Sequence, residues 1–332
     1  MGKKTVHVVL NSHLEPVWLW NLEQGVDAAL ATARTACDIL DDYPEAHITR
    51  GEAWFYETVE RYDPATFRRM LAHVAAGRLH PNGGWYIQPD CNLASPETYR
   101  LHAEVSLPYF RDVVGAEIRT GYNVDSFGHG AFLPDFYAAA GIENYILMRP
   151  QPHEKELPGE VFRWRSPSGA ELLTARIPTH CASTPACVAA RMEKAAEQAG
   201  AAGQGLFFCG VGDHGGGPAR EEIEFVAAHR NAFPGVGSEG APADFGETAA
   251  AVARRDPGST GRKVAEAIRA ATEDVRSSPL FCKASLPTEV SSVDCESPGF
   301  ADTDMADISI CSTLAGLRHA PKMKADNTEN KG

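Results

Sequence analysis

Short apolar runs alternate with amphipathic stretches over the first 230 residues of the chain. The runs at residues 6–10, 118–124 and 205–211 are rich in β-branched or aromatic side chains and predict buried strands. Residues 21–40 carry apolar side chains at every third or fourth position, which predicts a helix. Strands that alternate with helices are typical of a parallel α/β domain, with either an open sheet or a closed barrel.

The same patterns predict the remaining elements and a boundary near residue 235. Further strands are predicted at residues 46–50, 78–87, 145–148, 162–165 and 171–177, and further helices at 52–62, 64–76, 95–114, 132–140, 188–198, 220–229, 241–255 and 263–275. After that, Ser, Thr, Pro, Asp and Cys dominate and the periodicity disappears. We therefore predict an α/β domain over residues 1–235, a helical continuation over 236–275, and a tail over 276–332 that is disordered or not the natural continuation of the domain.

Polar side chains follow most of these predicted strands. In parallel α/β proteins, active sites lie outside the carboxyl ends of the strands. We therefore expect the following residues to lie around one site: His13, Glu15, Asp90, Asp125, Arg149, Asp213 and His214.

His13 and Glu15 follow the first strand at a spacing of two. In an extended chain, residues two apart point to the same side. An imidazole and a carboxylate that share one direction are good zinc ligands, and Trp18 nearby offers a flat face for a sugar. The alternative for residues 11–20 is a structural one, in which the histidine is a cap, the glutamate is ion-paired and the tryptophan belongs to the core.

Asp125 and Arg149 each end a predicted strand. Asp125 could bind a metal or attack an electrophilic carbon, and Arg149 beside it would favour its ionised form. The alternatives are a helix cap for the aspartate and a surface ion pair for the arginine. In residues 212–218, three glycines after Asp213 and His214 would let the backbone approach a substrate while one of these two side chains serves as acid/base. A P-loop is not predicted there, because no Lys-Ser/Thr pair follows.

Composition limits the partners and the compartment. The chain has 31 Lys and Arg against 44 Asp and Glu, a net charge of −13, which disfavours nucleic acid and anionic membranes as partners. No apolar run reaches about 18 residues, and the start of the chain lacks a signal-peptide pattern. Eight cysteines without a C-x-x-C pair are interpreted as reduced thiols of a cytoplasmic protein. The composition is compatible with a homo-oligomer.

The predicted site combines an imidazole, carboxylates, an arginine and aromatic side chains. This set suits hydrolysis of a sugar linkage, in which one carboxylate attacks and another group protonates the leaving oxygen. It also suits a metal-dependent carbohydrate deacetylase, in which the metal activates water.

Over residues 5–235 the chain resembles the N-terminal catalytic domain of glycoside hydrolase family 38, the zinc-dependent α-mannosidases, and especially its bacterial-type members. The resemblance depends on five motifs in order: His-Leu-Glu-Pro-Val-Trp at 13–18, Gly-Gly-Trp-Tyr-Ile-Gln-Pro-Asp-Cys-Asn at 83–92, Asp-Ser-Phe-Gly-His at 125–129, Arg-Pro at 149–150, and Gly-Val-Gly-Asp-His-Gly-Gly-Gly-Pro at 210–218.

This resemblance implies an irregular, seven-stranded parallel β/α barrel and retaining hydrolysis of terminal α-mannosides of oligosaccharides or glycosides. By the same resemblance, His13, Glu15 and Asp125 bind zinc, which holds the mannose hydroxyls, and Asp125 is also the nucleophile. The resemblance also implies acid/base catalysis by Asp213 or His214, without a choice between them. The residues predicted to bind the substrate are Trp18, Phe127, Arg149 and Asp90.

Two departures from the family pattern concern the metal. The family usually has Asp where this chain has Glu15, whose side chain is one methylene longer. The family's fourth zinc ligand is a histidine far downstream, for which this chain offers only His319. An inactive, truncated sugar-binding remnant is therefore the non-enzymatic alternative.

Overall fold

The computed structural model describes residues 4–177, 179–198, 204–212, 214–229 and 236–237. The predicted helices at 241–255 and 263–275 and the tail lie outside the described residues. Asp213 and His319 lie outside them as well.

Strands and helices alternate through most of the described chain, as the apolar pattern predicts. The strands are β1 (Lys4–Asn11), β2 (Ile48–Gly51), β3 (Leu79–Asn82), β4 (Thr120–Asn123), β5 (Asn144–Leu147), β6 (Val161–Arg165), β7 (Glu171–Arg176), β8 (Gln204–Cys209) and β9 (Val236–Gly237). The helices are α1 (Leu22–Asp42), α2 (Ala53–Tyr62), α3 (Pro64–Ala75), α4 (Pro96–Tyr109), continued by a π-helical turn (Phe110–Val114), α5 (Leu133–Ala139), α6 (Val188–Gln198), preceded by a short 3₁₀ turn (Pro185–Cys187), and α7 (Arg220–Ala228).

The strands form two sheets, so one continuous seven-stranded barrel is not confirmed. The first sheet has the order β3-β2-β1-β8, all parallel, and β9 also pairs with the start of β1. The second has the order β4-β5-β7-β6, parallel except for the antiparallel pair β6 and β7. Each sheet thus has a path of four strands. The strand periodicity could not reveal this division, because it carries no information on which edges pair.

The two sheets share a buried apolar cluster. Val9 of β1 and Phe208 of β8 belong to the same cluster as Tyr122 of β4 and Ile146 of β5. The rings of Tyr122 and Phe208 stack with centroids 6.2 Å apart. Between the two sheets, the Gly83 N–H, directly after β3, donates to the Thr120 carbonyl at 2.9 Å. Strand β3 of the first sheet and strand β4 of the second are therefore held next to each other.

A glycine in α1 brings that helix against the loop after β1. Gly25 is buried, and a Cβ added there would lie 1.9 Å from the Pro16 carbonyl oxygen. Asn21 and Gln24 form a capping box at the start of α1. The chain between β1 and α1, which carries His13 and Glu15, is thus packed closely against α1.

None of the helices in the described part of the chain combines the length and apolar character that a membrane span needs. The cytoplasmic location and the oligomeric state stay predictions from the sequence.

Candidate metal centre and active site

Three predicted side chains converge beyond the strand ends. His13 and Glu15 follow β1, and Asp125 lies two residues after the end of β4. Their potential ligand atoms all lie within 4.8 Å of one another. His13 is buried with 2% exposure, whereas Glu15 and Asp125 are partly open to solvent. One imidazole and two carboxylates are a donor set that zinc accepts, so these residues fit a metal ion.

His13 and Glu15 form an ion pair with Nε2 to Oε1 at 2.7 Å. Burial lowers the pKa of His13, but the hydrogen bond to Glu15 and the nearby carboxylates outweigh burial and raise it above its usual value. Burial likewise raises the pKa of Glu15, yet the hydrogen bond and the charge of His13 lower it overall. The two groups therefore stabilise each other's charged forms.

Arg149 lies directly against Asp125, as the sequence predicts. Its Nε donates to Asp125 Oδ1 at 2.6 Å. The guanidinium carbon also lies 4.6 Å from the centre of the Phe127 ring, a cation–π contact. Phe127 is 69% exposed, so its other surface remains available to a substrate.

Aromatic rings line another side of the site. Trp18 is 40% exposed and meets Trp20 edge to face, with centroids 5.5 Å apart. Trp20 packs on the His214 ring at 4.2 Å and donates from Nε1 to the Glu15 carbonyl at 3.0 Å. The structure therefore brings His214 beside Trp18 and Trp20. Trp20 was missed in the sequence analysis, although it ends the same Trp-Leu-Trp stretch.

The glycine-rich loop after β8 is attached to the chain segment that carries His13. The Gly215 N–H donates to the His13 carbonyl at 3.3 Å, and the Gly217 N–H donates to Ser12 Oγ at 3.1 Å. Gly215, Gly216 and Gly217 all have positive φ, which glycine adopts without a steric cost. The loop that contains His214 therefore lies against the residues next to His13, and the predicted acid/base role stays a prediction.

The metal cluster found among the described residues does not include Asp90. The Asp90 carboxylate accepts the Asn92 N–H at 3.2 Å, and its carbonyl accepts two further N–H groups, so the residue forms a tight turn. Asn92 Nδ2 in turn donates to the Phe127 carbonyl at 3.0 Å. The structure thus gives Asp90 a role in shaping the loop beside Phe127, and its predicted substrate contact stays untested.

Three buried or partly buried polar residues behind the cluster were not predicted. Arg50 donates to the Ser12 carbonyl and to Glu52 Oε2, each at 2.7 Å. Gln88 Nε2 donates to Glu52 Oε1 at 2.7 Å. Glu52 lies between β2 and helix α2, and Gln88 lies in the loop after β3, so both follow strands as the predicted residues do. That position was the signal that could have identified them.

The comparisons agree with the motifs. Residues 3–251 match the Glycosyl hydrolases family 38 N-terminal domain. Alpha-mannosidase G of Dictyostelium discoideum is 26% identical over 222 residues, which is 66% of this chain and 20% of that protein. An Alpha-mannosidase of Saccharomyces cerevisiae is 23% identical over 223 residues, 66% of this chain and 21% of that protein. The chain therefore spans about a fifth of the length of these relatives.

Among solved structures, an alpha-mannosidase from Enterococcus faecalis V583 superposes with a TM-score of 0.68 at 20% identity. The superposition covers 78% of this chain and 30% of that chain. At this identity the likeness shows the fold, an α/β architecture with parallel sheets.

Proposed function

The chain belongs to glycosyl hydrolase family 38, and from this premise we propose that it is the catalytic portion of a zinc-dependent, retaining α-mannosidase. The observation that carries the proposal is the convergence of His13, Glu15 and Asp125, with ligand atoms within 4.8 Å of one another, beside Arg149. Both curated relatives compared above bear the name alpha-mannosidase. The proposed substrate is a terminal α-mannoside of an oligosaccharide or glycoside.

His13, Glu15 and Asp125 would hold the zinc ion. When bound, zinc would supply a Lewis acid that holds mannose hydroxyls and so favours manno-configured sugars. Trp18 follows β1 and Phe127 follows β4, and both are exposed, so we propose that they pack against the sugar ring. We also propose that the carboxyl ends of the strands of both sheets surround a single active site. The first sheet contributes His13 and Glu15 to the cluster, and the second contributes Asp125.

Asp125 would attack the anomeric carbon and form a covalent glycosyl–enzyme intermediate, which water then hydrolyses. Arg149 holds one carboxylate oxygen of Asp125 and thereby orients the nucleophile. An acid/base group must protonate the leaving oxygen and later take a proton from water. Asp213 and His214 both remain candidates for that role. His214 packs on the Trp20 ring, and its backbone pairs with Leu14, between His13 and Glu15, which supports a place for His214 beside the metal cluster.

The test combines zinc analysis with turnover and covalent trapping. We would measure zinc content and hydrolysis of an aryl α-mannoside, then incubate the protein with a 2-fluoro-mannosyl inhibitor and locate the added mass by peptide mass spectrometry. We expect bound zinc, turnover, and a label on the peptide that contains Asp125. The variant Asp125→Asn should lose turnover and labelling.

The control is Asp112→Asn, because Asp112 is an exposed aspartate in the π-helical turn that pairs with its neighbour Arg111. It should behave as wild type. Zinc without mannoside turnover, together with release of acetate from an N-acetylated sugar, would replace this proposal with the deacetylase alternative. Mannose binding without turnover in the full-length protein would indicate an inactive remnant.

A further inference from the structure

Four consecutive strand ends are joined behind the metal cluster by the side chain of Gln88. Its Nε2 donates to Glu52 Oε1 at 2.7 Å, and its Oε1 accepts the Val124 N–H at 2.9 Å. The same Nε2 lies 3.4 Å from Nδ1 of His13. Val124 directly precedes Asp125 in the chain. Gln88 therefore contacts both His13 and the backbone that carries Asp125.

The orientation of the Gln88 amide is set by its partners. Val124 offers an N–H donor, so the amide oxygen must face it. Glu52 offers carboxylate oxygens, so the amide nitrogen must face that side. If the amide were reversed, both contacts would place like groups together. The amide can therefore serve as a spacer of fixed orientation between His13 and the Asp125 strand.

Glu52 is held in place at a conformational cost. It is 2% exposed and has φ of 67°, and it is the one residue other than glycine with positive φ among the described residues. A buried carboxylate requires a partner, and Arg50 provides one at 2.7 Å. Arg50 also donates to the Ser12 carbonyl, next to His13. Strained, over-determined residues of this kind cluster at functional sites.

We propose that Glu52 and Gln88 form one positioning unit that sets the separation between the His13 imidazole and the Asp125 carboxylate. This proposal rests on the proposed metal centre but concerns residues behind it, neither of which belongs to the ligand cluster. Glu52 accepts from Gln88 with one oxygen and from Arg50 with the other. An amide at position 52 would present its oxygen to one of these donors and its NH2 group, itself a donor, to the other.

The first experiment measures zinc affinity by competition with a chromophoric chelator. We expect Glu52→Gln and Gln88→Leu each to weaken zinc binding about 10- to 100-fold, the range for partners that orient a ligand from behind. The double variant should lose little more than either single variant, because both substitutions break the same unit. The matched control is Glu57→Gln on helix α2. The Glu57 carboxylate accepts an exposed hydrogen bond from the Tyr86 hydroxyl. It should bind zinc as wild type does.

The second experiment separates positioning from stability and does not need bound metal. Crystal structures of the metal-free proteins should show His13 displaced relative to Asp125 in Gln88→Leu when compared with wild type. The Val124 amide hydrogen should also exchange faster with solvent in the variant. Loss of unfolding free energy with unchanged zinc affinity and an unmoved His13 would overturn the proposal. If wild type binds no zinc, the proposed function fails, and the position of His13 alone decides this proposal.

Discussion

The side chain of Arg149 makes two contacts at once, a 2.6 Å hydrogen bond from Nε to Asp125 Oδ1 and a cation–π contact with Phe127. The guanidinium thus connects the proposed nucleophile to an exposed aromatic ring of the proposed sugar site. The extended planar guanidinium can bond Asp125 through Nε while its face lies on Phe127, whereas the compact ammonium group of lysine cannot hold both contacts in this geometry.

Arg149→Lys should therefore impair the enzyme although charge is conserved. We expect kcat/KM for an aryl α-mannoside to fall about 10- to 100-fold, since a charge-assisted hydrogen bond is worth about 1.5–3 kcal/mol. Arg163→Lys, at an exposed arginine of β6, serves as the control and should leave kcat/KM unchanged. A loss below about threefold at Arg149 would argue against an orienting role.

The length of the side chain at position 15 gives a test of the metal site. Glu15→Gln replaces a carboxylate ligand by a neutral amide, which binds zinc much more weakly, so we expect the zinc Kd to rise about 100-fold. Glu15→Asp keeps the charge and supplies the residue usual in the family, so it should bind zinc at least as tightly as wild type. The measurement is competition with a chelator. Equal affinity of wild type and Glu15→Gln would remove Glu15 from the ligand set.

Gly25→Ala should destabilise the protein, against the usual trend. In an ordinary helix interior, alanine stabilises the helix by about 1 kcal/mol relative to glycine. Here the added Cβ would lie 1.9 Å from the Pro16 carbonyl oxygen, so the loop must move. We expect a loss of about 1–3 kcal/mol of unfolding free energy in urea, with weaker zinc binding. A stabilised variant would mean that the helix and loop are not in contact.

Acid should destabilise the fold through two buried histidines. Burial lowers the pKa of His102 to about 4 and that of His129 to about 4. The unfolded chain, with an ordinary histidine pKa near 6.5, therefore binds protons first, and stability falls as pH drops from about 6.5 towards 4. At pH 5 each histidine should cost about 2 kcal/mol. Urea unfolding at pH 7 and pH 5 measures this loss.

His102→Gln provides the control for the acid effect. The amide cannot gain a proton in this range, so the loss between pH 7 and pH 5 should shrink by the contribution of one histidine. His13 opposes this trend because its pKa is raised. An unchanged pH dependence in His102→Gln would show that other groups control the acid sensitivity.

Local patterns predicted the elements well because each element satisfies its own periodicity. Ser95 caps α4 and Pro96 opens it, as the Ser-Pro-Glu sequence indicates. His13, Glu15, Asp125 and Arg149 could be named because each follows a strand, where side chains meet at the site. Their mutual contacts agree with that rule.

Residues whose roles depend on contacts far apart in the sequence were missed. Glu52 follows β2, a position that also suits an ordinary helix start, and its positive φ and its bonds to Arg50 and Gln88 are what reveal its place in the network. The division into two sheets was missed for a similar reason. Periodicity tells which residues are buried, whereas sheet edges depend on how distant strands pair.

The division into two sheets has a consequence for how a metal ion bound at the proposed site would affect stability. His13 and Glu15 extend from the first sheet, while Asp125 extends from the second. An ion bound by all three would link the two sheets, which are also joined by the hydrogen bond between Gly83 and Thr120. Free zinc at 100 times its Kd would add about 2.7 kcal/mol to the folded state. Cells that run short of zinc would then lose folded protein to proteolysis as well as losing catalytic activity.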